Sequence, residues 1–300
     1  MEAKEFLSVA IPSSWFGPGE SDSLFEGYGD AYRAAVDYLE QAWLGELAPG
    51  WSAEVAAACP ELGPRPTPER ALVIVFPYFH DQELQGVTEF LDGEGVSWTV
   101  AAWQEARGAT LSGCSPPPFR GSQGGEIQPD TWAWCAKADD YDLLYIIGTT
   151  RIQGLFPCRG GAPSQAKARL FELIAEFLDR KKPVFAAGTA PVVLGEADLV
   201  KGALTCICDT TRRGDLMGCL TDHGAGVVNP PGSMGVPFPA EVWDDGAFDG
   251  GIGTLYCHEG RWSGAELSAY EEALKAVYEA ALDWLQAGAP EDWRAHWPRR

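Results

Sequence analysis

Short, uninterrupted runs of apolar residues recur through the chain, and turn residues bound each of them. Residues 71–76 read Ala-Leu-Val-Ile-Val-Phe, residues 142–147 form a second run, and residues 183–187 form a third. Runs of this length are typical of parallel strands that are covered on both faces of a sheet. The less regular runs that we also predict as strands are 97–103, 204–208 and 252–257.

The segments between these runs have the spacing of helices. Residues 164–181 place apolar side chains at positions i, i+3, i+4, i+7 and i+8, which gives a helix one buried face. Residues 84–91 show the same kind of inward stripe, and the capping box at residues 263–266 predicts the start of a long terminal helix. Strands that alternate with helices predict an α/β protein with a mostly parallel sheet, helices on both faces and right-handed connections.

A proline-rich segment, residues 60–68, divides the chain, because it can sustain neither a helix nor a central strand. We predict an N-terminal extension with one helix at residues 1–69, a main domain at residues 70–288 and a C-terminal tail at residues 289–300. Residues 104–141 are rich in turn residues and predict a loop or short hairpin within the main domain. The tryptophans that we expect to clasp the core or to anchor a partner are Trp15, Trp43, Trp51, Trp293 and Trp297.

Composition and charge narrow the classes of partner. The 300 residues are 46% hydrophobic and include 12 Trp, which is enough apolar material for a large core and excludes intrinsic disorder. The formal net charge of -21 at pH 7 repels phosphate backbones and anionic lipid headgroups. We therefore expect no nucleic acid and no membrane surface as partners, whereas a protein with a basic surface suits this charge.

The start of the chain and its cysteines bear on the compartment. The first residues lack the basic and apolar regions of a secretory leader, and no apolar run approaches the roughly 18 residues of a membrane span. The eight cysteines are scattered, which in a chain of this length indicates reduced core thiols rather than a disulfide framework. We expect a cytoplasmic protein, or one in a cytosol-connected compartment.

The third apolar run breaks into a helix at a sharp turn, Ala187-Gly-Thr-Ala-Pro191. A strained strand-to-helix turn of this kind is a nucleophile elbow, which pushes one side chain into a pocket at the carboxyl edge of a sheet. Glycine occupies the apex here, at Gly188.

The order of these pieces is strand, turn, helix, strand, excursion, strand with a glycine turn, helix, and strand with an elbow. The segments that carry this order are 73–84, 108–113 with 130–132, 140–148 and 182–194. Over about residues 70–287 the chain resembles the DJ-1/PfpI superfamily, which is related to the class I glutamine amidotransferases. The resemblance implies a flavodoxin-like three-layer sandwich. It also implies a cysteine at the elbow apex, usually followed by a histidine, and in many members a glutamate after the first strand that tunes the thiolate.

Three positions depart from that pattern. The apex is Gly188 and the next residue is Thr189, His80 stands where the resemblance most simply places the glutamate, and the oxyanion turn, normally Gly-Gly, reads Gly148-Thr149. An activated thiolate needs a depressed pKa and a neighbouring acid or base, whereas glycine has no side chain that can be acylated. The resemblance thus implies a degenerate member that lacks the cysteine of hydrolase, deglycase or amidotransferase chemistry.

Three side chains are candidates for a remodelled site. His80, at the carboxyl end of the first strand, is either a base or ligand contact or a loop histidine bonded to the backbone. Thr189 is either a hydroxyl nucleophile or the cap of the elbow helix. Cys158 follows the strand at residues 142–147 and is either a displaced nucleophile or an ordinary loop thiol.

The sequence patterns for a metal site and for a catalytic triad are weaker than those for the remodelled site. A zinc set can be written from Cys206, Cys208, Cys219 and His223, but its spacing is not that of a standard knuckle, so we expect core packing and no metal or cofactor. The triplet at residues 257–259, Cys-His-Glu, resembles an amidotransferase triad end only loosely and has no nucleophile at Gly188 to activate.

These observations favour a non-catalytic DJ-1/PfpI-like protein, a pseudoenzyme that serves as a binding or structural subunit of a larger assembly through protein–protein interaction. A homodimer is a further partnership that the resemblance allows. The alternatives are a small-molecule hydrolase or lyase that uses His80 with Thr189 or Cys158, and a ligand-sensing domain.

Overall fold

The computed structural model describes residues 66–105, 111–158, 162–208, 215–227, 246–256 and 261–289. The predictions about the extension helix, the tryptophans of the extension and tail, and the triplet at residues 257–259 lie outside these residues.

A seven-stranded sheet forms the centre of the described structure. Its strands are β1 (Arg70–Val75), β2 (Ser97–Ala102), β5 (Thr131–Trp132), β6 (Leu143–Ile146), β7 (Val184–Ala187), β10 (Gly246–Asp249) and β11 (Ile252–Leu255). Their spatial order is β10-β11-β7-β6-β1-β2-β5. All neighbours pair in parallel except β10 and β11, which are antiparallel. The predicted α/β class with a mostly parallel sheet is confirmed.

Helices cover both faces of the sheet. The helices are α1 (Asp81–Gly93), α2 (Ile152–Leu155), α3 (Gln165–Asp179), α4 (Pro191–Glu196), α5 (Asp215–Asp222) and α6 (Gly264–Gln286). Alternate residues of β1 belong to two separate apolar clusters, because successive side chains of a strand point to opposite faces. One cluster joins Val73 to residues of α1 and α6, and the other joins Ile74 to residues of α2, α3, α4 and α5. This is the three-layer sandwich that we predicted.

Helix ends follow the sequence signals. The Ser263 hydroxyl accepts a hydrogen bond from the Glu266 N–H, and the Glu266 carboxylate accepts one from the Ser263 N–H, which completes the predicted capping box of α6. The Ser164 hydroxyl caps α3 by accepting from the Lys167 N–H at 3.2 Å.

One segment differs from the prediction in detail. Within residues 204–208 only β8 (Leu204–Thr205) is a strand, and it pairs with β9 (Gly226–Val227) in a separate two-stranded sheet instead of joining the main one. The excursion holds the short hairpin that we predicted, the antiparallel pair β3 (Phe119–Arg120) and β4 (Glu126–Ile127), together with β5 and two short 3-10 helices.

The expectation of reduced thiols is wrong for four cysteines. Disulfides join Cys114 to Cys135 and Cys158 to Cys219, across 21 and 61 residues of sequence respectively. The pairs were missed because nothing in their spacing indicates which loop and helix the fold brings together. Disulfides are typical of oxidising compartments.

The described residues contain no helix that is both long and apolar enough to cross a membrane. Nor do they contain three or more His, Cys, Asp or Glu side chains arranged to hold a metal ion. The alternative zinc set is not assembled, because Cys219 is in a disulfide and His223 contacts Asp198 at 3.3 Å.

Candidate functional site

The turn after β1 delivers His80 to the start of α1. His80 is the N-cap residue: its Nδ1 accepts a hydrogen bond from the Glu83 N–H at 3.4 Å, and its own backbone N–H donates to the Gly148 carbonyl at 3.0 Å. In the neutral ring the proton therefore lies on Nε2. His80 is only 2% exposed. It is therefore a backbone-bonded cap and also a buried residue of the site.

An indole ring packs on the His80 imidazole. The two ring centroids of Trp262 and His80 are 5.0 Å apart, with planes tilted by 31°. Gln82 holds the backbone of this tryptophan. The Gln82 side-chain oxygen accepts a hydrogen bond from the backbone N–H of Trp262, and the Gln82 side-chain nitrogen donates one to the Trp262 carbonyl. The indole is itself buried, so it closes one side of the site.

The second turn follows β6 and is bonded to the first. The Thr149 hydroxyl lies 2.7 Å from the Pro77 carbonyl oxygen and 3.0 Å from that of Tyr78. Thr149 also forms an isolated antiparallel bridge with Phe79. Because parallel strands end at one edge of a sheet, these turns and the elbow after β7 meet at that edge.

The turn after β7 has the backbone conformation of a strand-to-helix elbow. Gly188 has φ of +59°, in the left-handed region that glycine enters without steric cost. The Gly188 N–H donates to the Leu255 carbonyl at 3.0 Å, and the Gly188 carbonyl accepts from the Cys208 N–H at 2.9 Å. Neighbouring backbone thus holds the apex in place, although no side chain projects from it.

Thr189 does not cap the elbow helix, contrary to our expectation. The N-cap of α4 is Ala190, which makes no side-chain capping bond, and Pro191 opens the helix. The Thr189 hydroxyl instead accepts from the Thr149 N–H and donates to the Thr149 carbonyl, each at 3.1 Å. This residue is 2% exposed, and its hydroxyl fastens the elbow to the second turn.

A buried carboxylate that the sequence reasoning missed also lies here. Glu83 is 3% exposed and accepts from the Gly148 N–H at 2.7 Å. A Cβ at Gly148 would lie 2.9 Å from the Glu83 Oε2 and 3.1 Å from the Ala187 carbonyl, so only glycine fits. The inference that His80 replaces the glutamate is therefore corrected: the site holds both side chains. The sequence signal that could have identified Glu83 was its position in the first turn of the predicted helix.

The turns enclose a small space, too tight to admit a water molecule, that is lined by His80, Glu83, Thr149, Thr150, Gly188, Thr189 and Cys208. The structure thus brings together the predicted His80, Thr149, Gly188 and Thr189, with Gly148 bonded to the Glu83 side chain at its wall. Cys158 is not part of it, because it forms a disulfide with Cys219, so it is neither the displaced nucleophile nor the ordinary loop thiol that were its two alternatives. Cys208 was considered only as a zinc ligand or core residue.

The chemistry of this arrangement is restricted. The apex carries no nucleophile, and the two N–H groups of the predicted oxyanion turn are occupied by the Glu83 carboxylate and the Thr189 hydroxyl. Stabilising an oxyanion requires N–H donors that point at the developing charge. The apex therefore supplies no attacking group, and both N–H groups of this turn are already bonded.

A parallel α/β sheet with a strand-to-helix elbow at its carboxyl edge defines the class of protein. Residues 69–227 match the model of the DJ-1/PfpI family, and this stretch is more than half of the chain. The chain belongs to the DJ-1/PfpI family. A search of curated proteins finds no significant match.

Solved structures with this fold are distant in sequence. A ThiJ/PfpI domain protein from Brachyspira murdochii is 14% identical, with a TM-score of 0.50 over 70% of this chain and 96% of that one. Drosophila melanogaster DJ-1beta is 18% identical, with a TM-score of 0.49 over 73% and 96%. An Anabaena variabilis two-domain protein containing DJ-1/ThiJ/PfpI-like and ferritin-like domains is 17% identical, with a TM-score of 0.47 over 70% of this chain and only 48% of that one. At these identities the likeness concerns the fold.

Proposed function

We propose that this chain is a non-catalytic DJ-1/PfpI protein, used as a binding or structural subunit of a larger assembly. The observation that carries the proposal is the apex of the elbow, where Gly188 supplies the backbone conformation but no reactive side chain. Covalent catalysis at an elbow requires a nucleophile at that point.

The surroundings of the apex support this reading. Pockets for metabolites and cofactors usually enclose about 300–1,000 Å³, whereas the space beside Gly188 has no room for a water-sized molecule. The Thr189 hydroxyl would have to give up two hydrogen bonds to Thr149 before it could attack a substrate. Cys158 is held in a disulfide, which removes the third candidate for a remodelled hydrolase site.

The decisive experiment measures turnover by the purified full chain. Ammonia release from glutamine and consumption of glyoxal are followed for the wild type and for Gly188→Cys, next to an active enzyme of the family as positive control. We expect the wild type to stay at the rate of a buffer blank. Robust wild-type turnover would overturn the proposal, and loss of that turnover in the His80→Ala variant would point to the alternative hydrolase or lyase.

The binding role has its own test. Cross-linking followed by mass spectrometry of the complex isolated from the native source should recover this chain joined to another protein, and light scattering of the pure chain separates that case from a homodimer. The charge of -21 favours a basic partner, so the complex should weaken as salt screens the charges. A chain that sediments as a monomer of 32.3 kDa in its native extract would contradict the role.

The compartment is part of the same proposal. The sequence favoured the cytoplasm, but the disulfides Cys114–Cys135 and Cys158–Cys219 are stable in oxidising surroundings. Alkylation of the protein from its native extract, unfolded without reductant, decides between the two: protection of the four paired cysteines indicates an oxidising compartment, and alkylation of all eight cysteines supports the cytoplasm.

A further inference from the structure

The two disulfides differ in how far the fold exposes them. In the first pair Cys114 is exposed and Cys135 is half-buried. In the second pair Cys219 is only 3% exposed, and Cys158 packs on the same apolar cluster. A disulfide is broken by a thiolate that reaches one of its sulfurs, so access controls the rate of exchange. The fold therefore leaves the first disulfide open to small thiols and shields the second.

A groove of about 460 Å³ lies beside the exposed disulfide. The excursion lines it with Gly113, Trp134 and Cys135, and α3 lines it with Arg169 and Glu172. Pockets that take small molecules usually enclose about 300–1,000 Å³, so the groove has room for a small thiol. A guanidinium and a carboxylate in its lining suit a thiol that itself carries carboxylate and ammonium groups. Glutathione is a thiol of this class.

The disulfide also ties an exposed segment to the body of the excursion. Residues 112–115 are exposed, and hydrogen bonds join them to β5 and the 3-10 helix that follows it. The Trp132 N–H donates to the Cys114 carbonyl, and the indole N–H of Trp134 donates to the Gly113 carbonyl, each at 3.2 Å. Because Gly113 lines the groove, loss of the covalent link would loosen one part of its wall.

We propose that Cys114–Cys135 is a thiol-exchange site through which reduction opens the groove. The thiolate of a small charged thiol attacks the Cys114 sulfur, a new S–S bond forms, and the bond to Cys135 breaks. The attacking sulfur is oxidised by one electron and the Cys135 sulfur is reduced by one. Cys135 departs as a thiolate and takes a proton from water. A second thiol releases Cys114 in the same way, so the final products are two protein thiols and one small-molecule disulfide.

The leaving sulfur also favours this pair. Cys135 is half-buried and lines a groove that water can enter, so its thiolate can be solvated as it departs. Attack on Cys158 would instead release the thiolate of Cys219 into an apolar cluster, where burial disfavours the charged form. The exchange needs neither catalysis nor a partner, so it goes beyond the proposed function and does not depend on it.

The test follows both disulfides in one sample, with Cys158–Cys219 as the internal control. The full chain, purified without reductant, is treated with reduced glutathione at about pH 8, where part of the free thiol is ionised. Samples are quenched with acid at set times, unfolded and labelled with a maleimide. Tryptic peptides 108–120, 121–137 and 152–159 carry Cys114, Cys135 and Cys158 separately. A parallel series in urea gives the rates without the fold.

We expect Cys114–Cys135 to open at least about tenfold faster than the control in the folded chain, because access differs, and the two rates to converge in urea. Glutathione should appear on Cys114 before Cys135 is fully labelled. Equal rates in the folded chain, a faster control, or a ratio that persists in urea would overturn the proposal. So would a chain purified without reductant in which Cys114 and Cys135 are not paired.

The opening of the groove has its own measurement. After selective reduction, the Trp132 N–H should exchange with deuterium faster, because the Cys114 carbonyl that accepts its hydrogen bond is no longer tethered. Amides of α5, which holds Cys219, serve as the control and should keep their protection. Unchanged exchange at Trp132 would show that reduction leaves the groove closed. A failed test leaves the turnover assay of the proposed function unaffected.

Discussion

At the scale of single residues, Gly188 meets the backbone requirement of the elbow without supplying a side chain. Its φ of +59° is costly for any residue with a Cβ, by about 1–2 kcal/mol. We predict that Gly188→Ala lowers the free energy of unfolding by that amount, measured by urea denaturation.

The matched control for this change is Gly218→Ala. Gly218 lies inside α5, and a Cβ there would meet nothing within 4 Å. Alanine is the better helix former by up to about 1 kcal/mol, so this variant should be as stable as the wild type or more stable. Equal losses in the two variants would show that the left-handed conformation is not the cause.

Tyr145 is a second residue whose burial lowers the free energy of unfolding. Its hydroxyl is buried without a hydrogen-bond partner among the described residues, and burial, followed by the charges of Tyr278 and Glu94, raises its pKa well above 10.0. Tyr145→Phe should therefore raise the free energy of unfolding at pH 7 by about 1 kcal/mol, because an unsatisfied polar group is removed. Tyr141→Phe, at a half-buried position, is the control and should change stability little.

The same residue gives a dependence on pH. In the unfolded chain Tyr145 ionises near its ordinary pKa of 10.0, whereas in the folded chain it stays neutral. The stability that folding gains from the neutral Tyr145 is complete below pH 10 and is lost as the pH rises from there towards the raised pKa. The decrease in stability above pH 10 should be shallower in Tyr145→Phe, and an identical slope in both chains would contradict the assignment.

At the scale of elements, the Thr189 hydroxyl joins the elbow to the turn after β6. Thr189→Val removes the acceptor of the buried Thr149 N–H and should cost about 1–3 kcal/mol of unfolding free energy. Thr189→Ser keeps the hydroxyl and should recover most of the loss. If valine is tolerated as well as serine, the turns are held together by other contacts.

The disulfides act between elements as well. Cys158–Cys219 links the segment after α2 to α5 across 61 residues, and Cys114–Cys135 closes a loop of 21 residues within the excursion. Loop-closure entropy predicts about 4 kcal/mol for the longer loop and about 3 kcal/mol for the shorter one. Double serine variants compared by denaturant unfolding should show this order. A larger loss for the 114–135 pair would mean that strain or residual structure outweighs loop length.

At the scale of the whole molecule, the dominant feature is charge. A net charge of -21 over 300 residues makes the compact state repel itself. Salt screens such repulsion, so the melting temperature should rise between about 0.01 and 0.5 M NaCl, over which the Debye length falls from about 30 Å to under 10 Å. Sucrose at equal osmolarity serves as the control for excluded-solute effects, and a melting temperature that falls with NaCl would refute the argument.

The architecture was predictable because it rests on periodicity. The buried strands β1, β6 and β7 appear as continuous apolar runs, and α3 and α6 carry their inward stripes, so class and layers follow from the sequence. The elbow was predictable because a strand leads directly into Gly188 and Pro191. These signals are local, so each can be recognised in the sequence without knowledge of distant contacts.

The missed features depend on contacts between distant segments. Glu83 reaches Gly148 across 65 residues, and the Cys158–Cys219 pair is equally remote in sequence. Cys208 lines the site because the segment after β8, which lies outside the main sheet, bonds to the elbow carbonyl. No periodicity encodes these arrangements, so the walls of the pocket emerged only in three dimensions.

The conformation at Gly188 has an evolutionary consequence. The hydrogen bonds to Leu255 and Cys208 that hold the apex join backbone atoms only, so they require no particular side chain there. A glycine codon that ends in a pyrimidine becomes a cysteine codon by one base change. Where the Gly188 codon ends that way, a single substitution places a thiol next to N–H groups of Gly148 and Thr149 that are already bonded.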